Sequence, residues 1–313
     1  MTNAIFESWT DQTRALFSKH TVKLRHTLPS NPLFTDEALA ELIERIPRSN
    51  YSLVHMSHPT EPRHMWREGD LNGQKGRDVV EAVKAGRIWI NLLRVSDVDT
   101  RYAALLDQMF GEMEANVPGF STFRRKMGIL ISSPKAQVFY HCDIPGQSLW
   151  QVRGSKRIWI YPNSEPFLDR QKLEGIFLGE TEEEIAYEPW FDEHADVYDL
   201  EPGEMLHWPL NGPHRVVNHD VLNVSVTTEH YTREIRDFVA VMAANGALRR
   251  RLGLSPRSIE TNGPGFWAKM AFKKAYDKSG LAKKRYVRRP VDWKLDTSAA
   301  NPVQPREPYY LQG

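Results

Sequence analysis

The sequence predicts a mainly β protein with helical additions, built as a two-sheet sandwich or barrel of the jelly-roll type. Three observations carry this. Between residue 128 and about residue 230, short runs of β-branched, aromatic and other apolar residues recur, separated by turn residues. Many short strands at that spacing suit a sandwich or barrel rather than strands alternating with helices. On either side of this stretch, apolar residues recur at helical spacing instead. The chain, at 313 residues with 41% hydrophobic and 26% charged residues, is also long enough to bury a sizeable core and ordinary in composition for a globular protein.

Each element has a local reason. Residues 1–125 read as a mixed helical and strand region packed on the barrel. Residues 36–46 form a helix that starts after Thr35 and stops before Pro47. Residues 77–85 form another, with Gly86 as its stop. Residues 88–93 read as a strand. A helix over 97–115 follows the candidate cap Ser96, and Leu105, Leu106, Met109, Phe110 and Met113 give it a core-facing stripe. The core, residues 126–231, offers strands at 128–132, 137–141, 148–153, 156–161, 196–200, 205–208, 214–218 and 222–229. Gly154-Ser155, between two of them, predicts a tight hairpin. Residues 163–195 are an acidic insertion. Residues 232–313 form a C-terminal helical extension, with helices at 233–251 and 265–278, and a tail from 297 that its three prolines leave extended or loosely ordered.

Composition narrows the function. The one cysteine, Cys142, allows no intrachain disulfide, which is compatible with a reducing compartment. The N-terminus has no basic region followed by an apolar run, and no stretch of eighteen apolar residues exists. A soluble cytoplasmic protein with no membrane contact is the expectation. The net charge of +1 hides an asymmetry: residues 180–204 are rich in Asp and Glu without Lys or Arg, whereas residues 249–289 carry Arg249-Arg250-Arg251, Lys273-Lys274, Lys283-Lys284-Arg285 and Arg288-Arg289. These read as solvated faces that pair within the fold or across a dimer. Nucleic acid is not the expected partner, because no zinc-finger or RNA-binding signature accompanies the charge.

The chemistry concentrates at His141-Cys142-Asp143, with His214 about seventy residues later. Two imidazoles and one carboxylate hold a non-haem ferrous ion on one face and leave its other positions open. Residues i and i+2 of a strand point to the same side, so His141 and Asp143 reach one metal together while Cys142 points away. His55, His58 and His64 also cluster, but their spacing fits no metal template. His207 and His230 read as packed residues near the core.

The run from His141 through Gln147, Gln151 and Gly154 to Lys156-Arg157 resembles the first half of the core of JmjC-type 2-oxoglutarate oxygenases, and is similar to the asparaginyl hydroxylase that inhibits the hypoxia-inducible factor and to bacterial cupin-like relatives. Pro202-Gly203-Glu204-Met205-Leu206-His207-Trp208-Pro209 and the following Leu210-Asn211-Gly212-Pro213-His214 resemble the second half, in a register that makes His214 rather than His207 the third ligand. The resemblance covers about residues 125–230 and implies a double-stranded β-helix. It also implies Fe(II), 2-oxoglutarate and O2, with Lys156 on the far carboxylate of the keto acid. Arg153 or Arg157 takes that role if the register is off by one. Asn223, Ser225, Thr227 and Gln147 would be the polar groups around the cosubstrate. Val138 and Gln147 depart from the hydroxylase, which has Thr and Asn there.

The expected activity is hydroxylation of a C–H bond in a protein, peptide or small molecule. Two alternatives use the same ligands: a cupin-type metal protein of other chemistry, preferred if Lys156 faces solvent, and a non-catalytic binding or regulatory protein on the same barrel. Ile235, Phe238, Val239, Val241, Met242 and Leu248 form a stripe that either packs into the core or joins a homodimer.

Overall fold

The structure, a computed structural model, describes residues 4–56, 66–181, 183–281 and 289–311. The N-terminal part contains α1 (Asp11–Leu16), β1 (Val22–Arg25), α2 (Asp36–Arg45), β2 (Tyr51–His55), β3 (Arg67–Asp70), α3 (Gly76–Ala85), β4 (Ile88–Leu92), α4 (Val95–Val98) and α5 (Thr100–Asn116). It is richer in strand than its helical stripes predict. The helix expected over 97–115 is broken at Asp99, which adopts extended backbone (φ −140°) and accepts the Arg101 N–H on its carboxylate at 2.9 Å. Asp99, not Ser96, caps the long helix, because its side-chain oxygen satisfies a first-turn donor.

The central strands are β5 (Phe123–Ser132), β6 (Gln137–His141), β7 (Gly146–Arg153), β8 (Lys156–Ile160), β9 (Asp196–Leu200), β10 (Glu204–His207), β11 (His214–Asn218) and β12 (Asn223–Tyr231), with α6 (Arg170–Phe177) in the acidic insertion. They divide between two sheets. A ten-stranded sheet runs β1-β10-β7-β12-β5-β4-β2-β3-β13-β14, and a four-stranded sheet runs β6-β11-β8-β9. From β5 to β8 the chain alternates between them, and it does so again from β9 to β12. Such alternation is consistent with a jelly roll.

This corrects one expectation. Gly154-Ser155 makes no hairpin, because β7 and β8 belong to different sheets and the chain crosses from one to the other there. Gly154 has φ +70°, and a Cβ on it would lie 2.2 Å from the Leu222 carbonyl oxygen. Glycine is required at that corner both for its backbone conformation and for the close approach.

The two sheets pack face to face through Leu130, Leu149 and Leu206 of the large sheet and Val138, Ile158, Ile160, Leu200 and Val216 of the small one. The other face of the large sheet carries Trp150, Met205, Val224 and Val226 into a larger core with α2, α3 and α5.

The C-terminal part holds α7 (Arg233–Leu252), α8 (Gly263–Lys278), β13 (Val291–Leu295) and β14 (Val303–Tyr309). The tail therefore gains more order than its prolines predict: β13 pairs in parallel with β3, and β14 closes that edge. On α7, Met242 packs with Leu173 and Ile176 of α6, and Phe238 packs against the same cluster. Core packing thus accounts for that part of the apolar stripe. Among the described residues no helix is long and apolar enough to cross a membrane.

Candidate metal centre

His141 ends β6 and His214 begins β11, and the antiparallel register places them opposite each other. Directly paired residues share a face. His214 also pairs with Ile160, which points between the sheets, so both imidazoles point there too. Asp143 follows two residues after His141. One ligand atom from each of the three side chains lies within 4.8 Å of the other two. The His214 Nε2 is 3.5 Å from Asp143 Oδ2, and the His141 Nε2 is 3.9 Å from Asp143 Oδ1.

Hydrogen bonds fix which nitrogen faces inward. His141 Nδ1 lies 2.7 Å from the Phe139 carbonyl oxygen, and His214 Nδ1 lies 3.0 Å from that of Gly212. A carbonyl only accepts, so each Nδ1 carries the hydrogen and each Nε2 presents a lone pair to the centre. Burial, and then the neighbouring His141, holds the His214 imidazole well below its usual pKa, against the Gly212 hydrogen bond. Burial pushes the Asp143 carboxyl up to about 6; His141 opposes this and Glu229 reinforces it.

These residues fit a metal ion. Asp143 Oδ2 is sealed from solvent and has no hydrogen-bond partner among the described residues. A buried carboxylate oxygen left so is costly, whereas a divalent cation between it and two neutral imidazoles satisfies all three groups.

Two residues absent from the sequence-based set support the ligands. Asn211, buried and at φ +56°, donates its side-chain amide to the Asp143 carbonyl and so holds the turn after β6. Trp208 packs its ring 4.7 Å from that of His214. The Pro209-Leu210-Asn211-Gly212-Pro213 run was the available signal for Asn211, since asparagine tolerates the left-handed conformation better than most residues.

Lys156 opens β8 and shares its inner face with Ile158 and Ile160. It is 4% exposed. No acidic group among the described residues pairs with its ammonium, and burial lowers its pKa to about 7. Arg153 is committed elsewhere, to Asp36 and the Phe34 carbonyl. Arg157 is exposed and paired to Asp199 at 2.7 Å.

Asn223, Ser225 and Thr227 line the inner face of β12, since Ser225 pairs with Leu130 and Thr227 with Leu149. Asn223 and Ser225 are already bonded to Gln151, at 2.6 and 2.8 Å. Gln147 sits across from Glu229, and its buried Oε1 has no partner among the described residues. Cys142 is buried on the opposite side of β6 with Tyr140. His207 is bonded to Ser148 and Ser18 and stacks on Phe17, away from the triad. His55 packs edge-on against Trp293, and His58 and His64 lie outside the described residues. Two surface grooves of about 480 and 400 Å³ lie along the end of α2 and share no residue with the triad.

No protein-family model matches the chain, and no curated protein matches it. Solved structures do. The X-ray structure of Escherichia coli ycfD aligns over 90% of this chain and 71% of its own, at 17% identity and a TM-score of 0.50. A structure of YcfD from the same organism, described as a ribosomal oxygenase in complex with cobalt and 2-oxoglutarate, aligns over 87% and 67%, at 18% identity and a TM-score of 0.47. The chain thus shares the overall fold of Escherichia coli ycfD.

Proposed function

We propose that this protein is an Fe(II)- and 2-oxoglutarate-dependent oxygenase that hydroxylates a C–H bond of a protein, peptide or small-molecule substrate, with the two sheets forming a double-stranded β-helix around the site. The observation that carries this reading is the pairing of two features on one interior surface. A three-residue metal site with two neutral imidazoles and one carboxylate faces inward at one end. A buried ammonium without a counter-ion faces inward from β8, four residues along the strand from the rung that holds His214. Four residues span about 13 Å. An anion that also ligates the metal is the partner this spacing suits, and its far carboxylate restores the charge balance that Lys156 lacks.

His141, Asp143 and His214 would hold the ion, and Lys156 would hold the far carboxylate. A ferrous ion there supplies chelation of the keto acid and activation of oxygen, so that decarboxylation to succinate accompanies insertion of oxygen into a C–H bond. The chain's own part is positional. The Phe139 and Gly212 carbonyls fix the tautomers, Asn211 fixes the Asp143 turn, and the leucine and isoleucine side chains between the sheets exclude water. Thr227 and Gln147 are the inner-face polar groups with capacity left for the cosubstrate; Asn223 and Ser225 act by holding Gln151. The inward-facing Lys156 separates this reading from a metal protein that needs no keto acid.

Anaerobic addition of Fe(II) and 2-oxoglutarate should produce the weak visible charge-transfer band of the chelate. A protein that binds the metal but yields no such band refutes the reading. His214→Ala should lose metal binding by at least about a hundredfold in calorimetric titration, because two ligands on one strand end remain.

A further inference from the structure

The outer surface of the C-terminal helices is unlike the rest of the molecule. Residues 249–281 contain eight Lys and Arg against two acids. Several are neutralised internally: Arg249 by Glu174 at 3.0 Å, Arg250 by Glu180 at 2.8 Å, and Lys273 by Asp277 at 2.6 Å. Lys269 is half-buried and donates to the Ser258 carbonyl. Arg251, Arg257, Lys274 and Lys278 remain exposed, with no acidic partner among the described residues. On α8, Trp267, Ala271, Lys274 and Lys278 fall at i, i+4, i+7 and i+11, which places them on one stripe of the helix. All four are exposed, and the Trp267 side chain lies 67% open to solvent. Arg251 reaches the far end of this stripe, where it donates to the Leu281 carbonyl.

We propose that this stripe of α8 is a docking surface for single-stranded nucleic acid. The charge alone gave no reason for that reading. The structure adds that the unpaired cations share a face with a bare indole. A row of cations neutralises phosphates, and an exposed indole stacks on an unpaired base. An acidic protein or an anionic membrane would use the charge, but neither calls for a ring standing edge-free in solvent between lysines. The site lies outside the metal centre, so this inference stands or falls separately from the oxygenase reading.

The test is fluorescence anisotropy of a labelled twelve-nucleotide oligouridylate with the full chain, from 50 to 200 mM salt. Four phosphate contacts predict a slope of log affinity against log salt of about −2.8, or roughly fiftyfold weakening over that range. The double variant Lys274→Glu/Lys278→Glu should halve the slope to about −1.4 or less while leaving the melting temperature unchanged. Trp267→Ala should weaken binding about tenfold and leave the slope intact. Any of four results overturns the proposal: no binding at 50 mM salt; binding unaffected by the charge-reversed variant; equal affinity for polyglutamate or phosphatidylserine vesicles; or light scattering showing a dimer that buries Trp267 and excludes the oligonucleotide.

Discussion

Raising the pH from 7 to 9 should weaken 2-oxoglutarate binding about fiftyfold through Lys156 alone. The ammonium of Lys156 is fully buried without a counter-ion, and burial brings its pKa to about 7. The keto acid is a dianion throughout this range, so it binds the protonated lysine. The apparent dissociation constant then scales with one plus ten raised to the difference between pH and that pKa. This factor is about 2 at pH 7 and about 100 at pH 9, a change of roughly 2.3 kcal/mol. Calorimetry on protein loaded with a redox-inert divalent metal gives the constant directly, and at pH 8 it should also show uptake of close to one proton per ligand. 2-Oxobutanoate, which chelates alike but lacks the far carboxylate, should show no such dependence, and neither should Lys156→Met with 2-oxoglutarate. A constant that is flat between pH 7 and 9, or a dependence that survives in Lys156→Met, refutes the assignment of this lysine.

The same shift has a cost in the free protein. Lys156 has a folded-state pKa of about 7, below its unfolded value near 10.5, so between these values the unfolded chain binds more protons and stability rises with pH. Below pH 7 the full penalty applies, up to about 4 kcal/mol relative to a pH above 10.5. Lys156→Met should therefore stabilise the ligand-free protein at neutral pH while removing its affinity for the keto acid. A position where a neutral side chain would be more stable, yet a cation stands, is a functional position in energetic terms.

Other perturbations test the surroundings. Asn211→Ala removes the amide that holds the Asp143 carbonyl and places alanine at φ +56°; it should cost about 1–3 kcal/mol in denaturant titration and weaken metal binding about tenfold. His207 is buried and its pKa is lowered to about 3, first by burial and then by His230. A lowered histidine pKa makes the folded state bind fewer protons, so stability falls as pH drops from 6.5 towards 3, by about 1.4 kcal/mol per pH unit from this group. His207→Asn should flatten the acid limb of the stability curve by one proton; an unchanged slope would show that His207 carries none of it. Glu174, fully buried against Arg249, should cost about 3–5 kcal/mol as Glu174→Gln, read as a lowered melting temperature, because a buried guanidinium loses its counter-charge.

What was legible in the sequence depended on how local the cause was. His141 and Asp143 were readable because two residues along a strand always share a face. Helices such as α2 and α7 were readable because an N-capping threonine, Thr35 or Thr232, stands immediately before each. The role of Gly154 was not, because a glycine with positive φ serves a hairpin and a crossing equally well, and only the approach of Leu222 from β12's lead-in, some seventy residues on, decides between them. Asn223 and Ser225 show the same limit at the site. Alternation placed them on the inner face, but their hydrogen bonds to Gln151 depend on the register of β12 against β7, which slips by a residue between Val224 and Ser225.

The energetics of the interior follow from that division. Every inner-face polar group settled by neighbouring strands has a partner: Asn218 donates to Ser132 and Ser133, and Gln151 bonds Asn223 and Ser225. The exceptions on this face are Asp143 Oδ2, Gln147 Oε1 and the Lys156 ammonium. A fold that satisfies its buried polar groups elsewhere and leaves a carboxylate, an amide oxygen and a cation open along one interior surface has left room for a ligand with matching charges: positive at Asp143 and negative at Lys156. A metal ion chelated by a dicarboxylic keto acid carries those charges in that order. Filling the centre with metal alone should therefore satisfy Asp143 and leave Lys156 exposed to its burial penalty. The melting temperature should rise in two separable steps, first with metal and then with 2-oxoglutarate, and the second step should vanish in Lys156→Met.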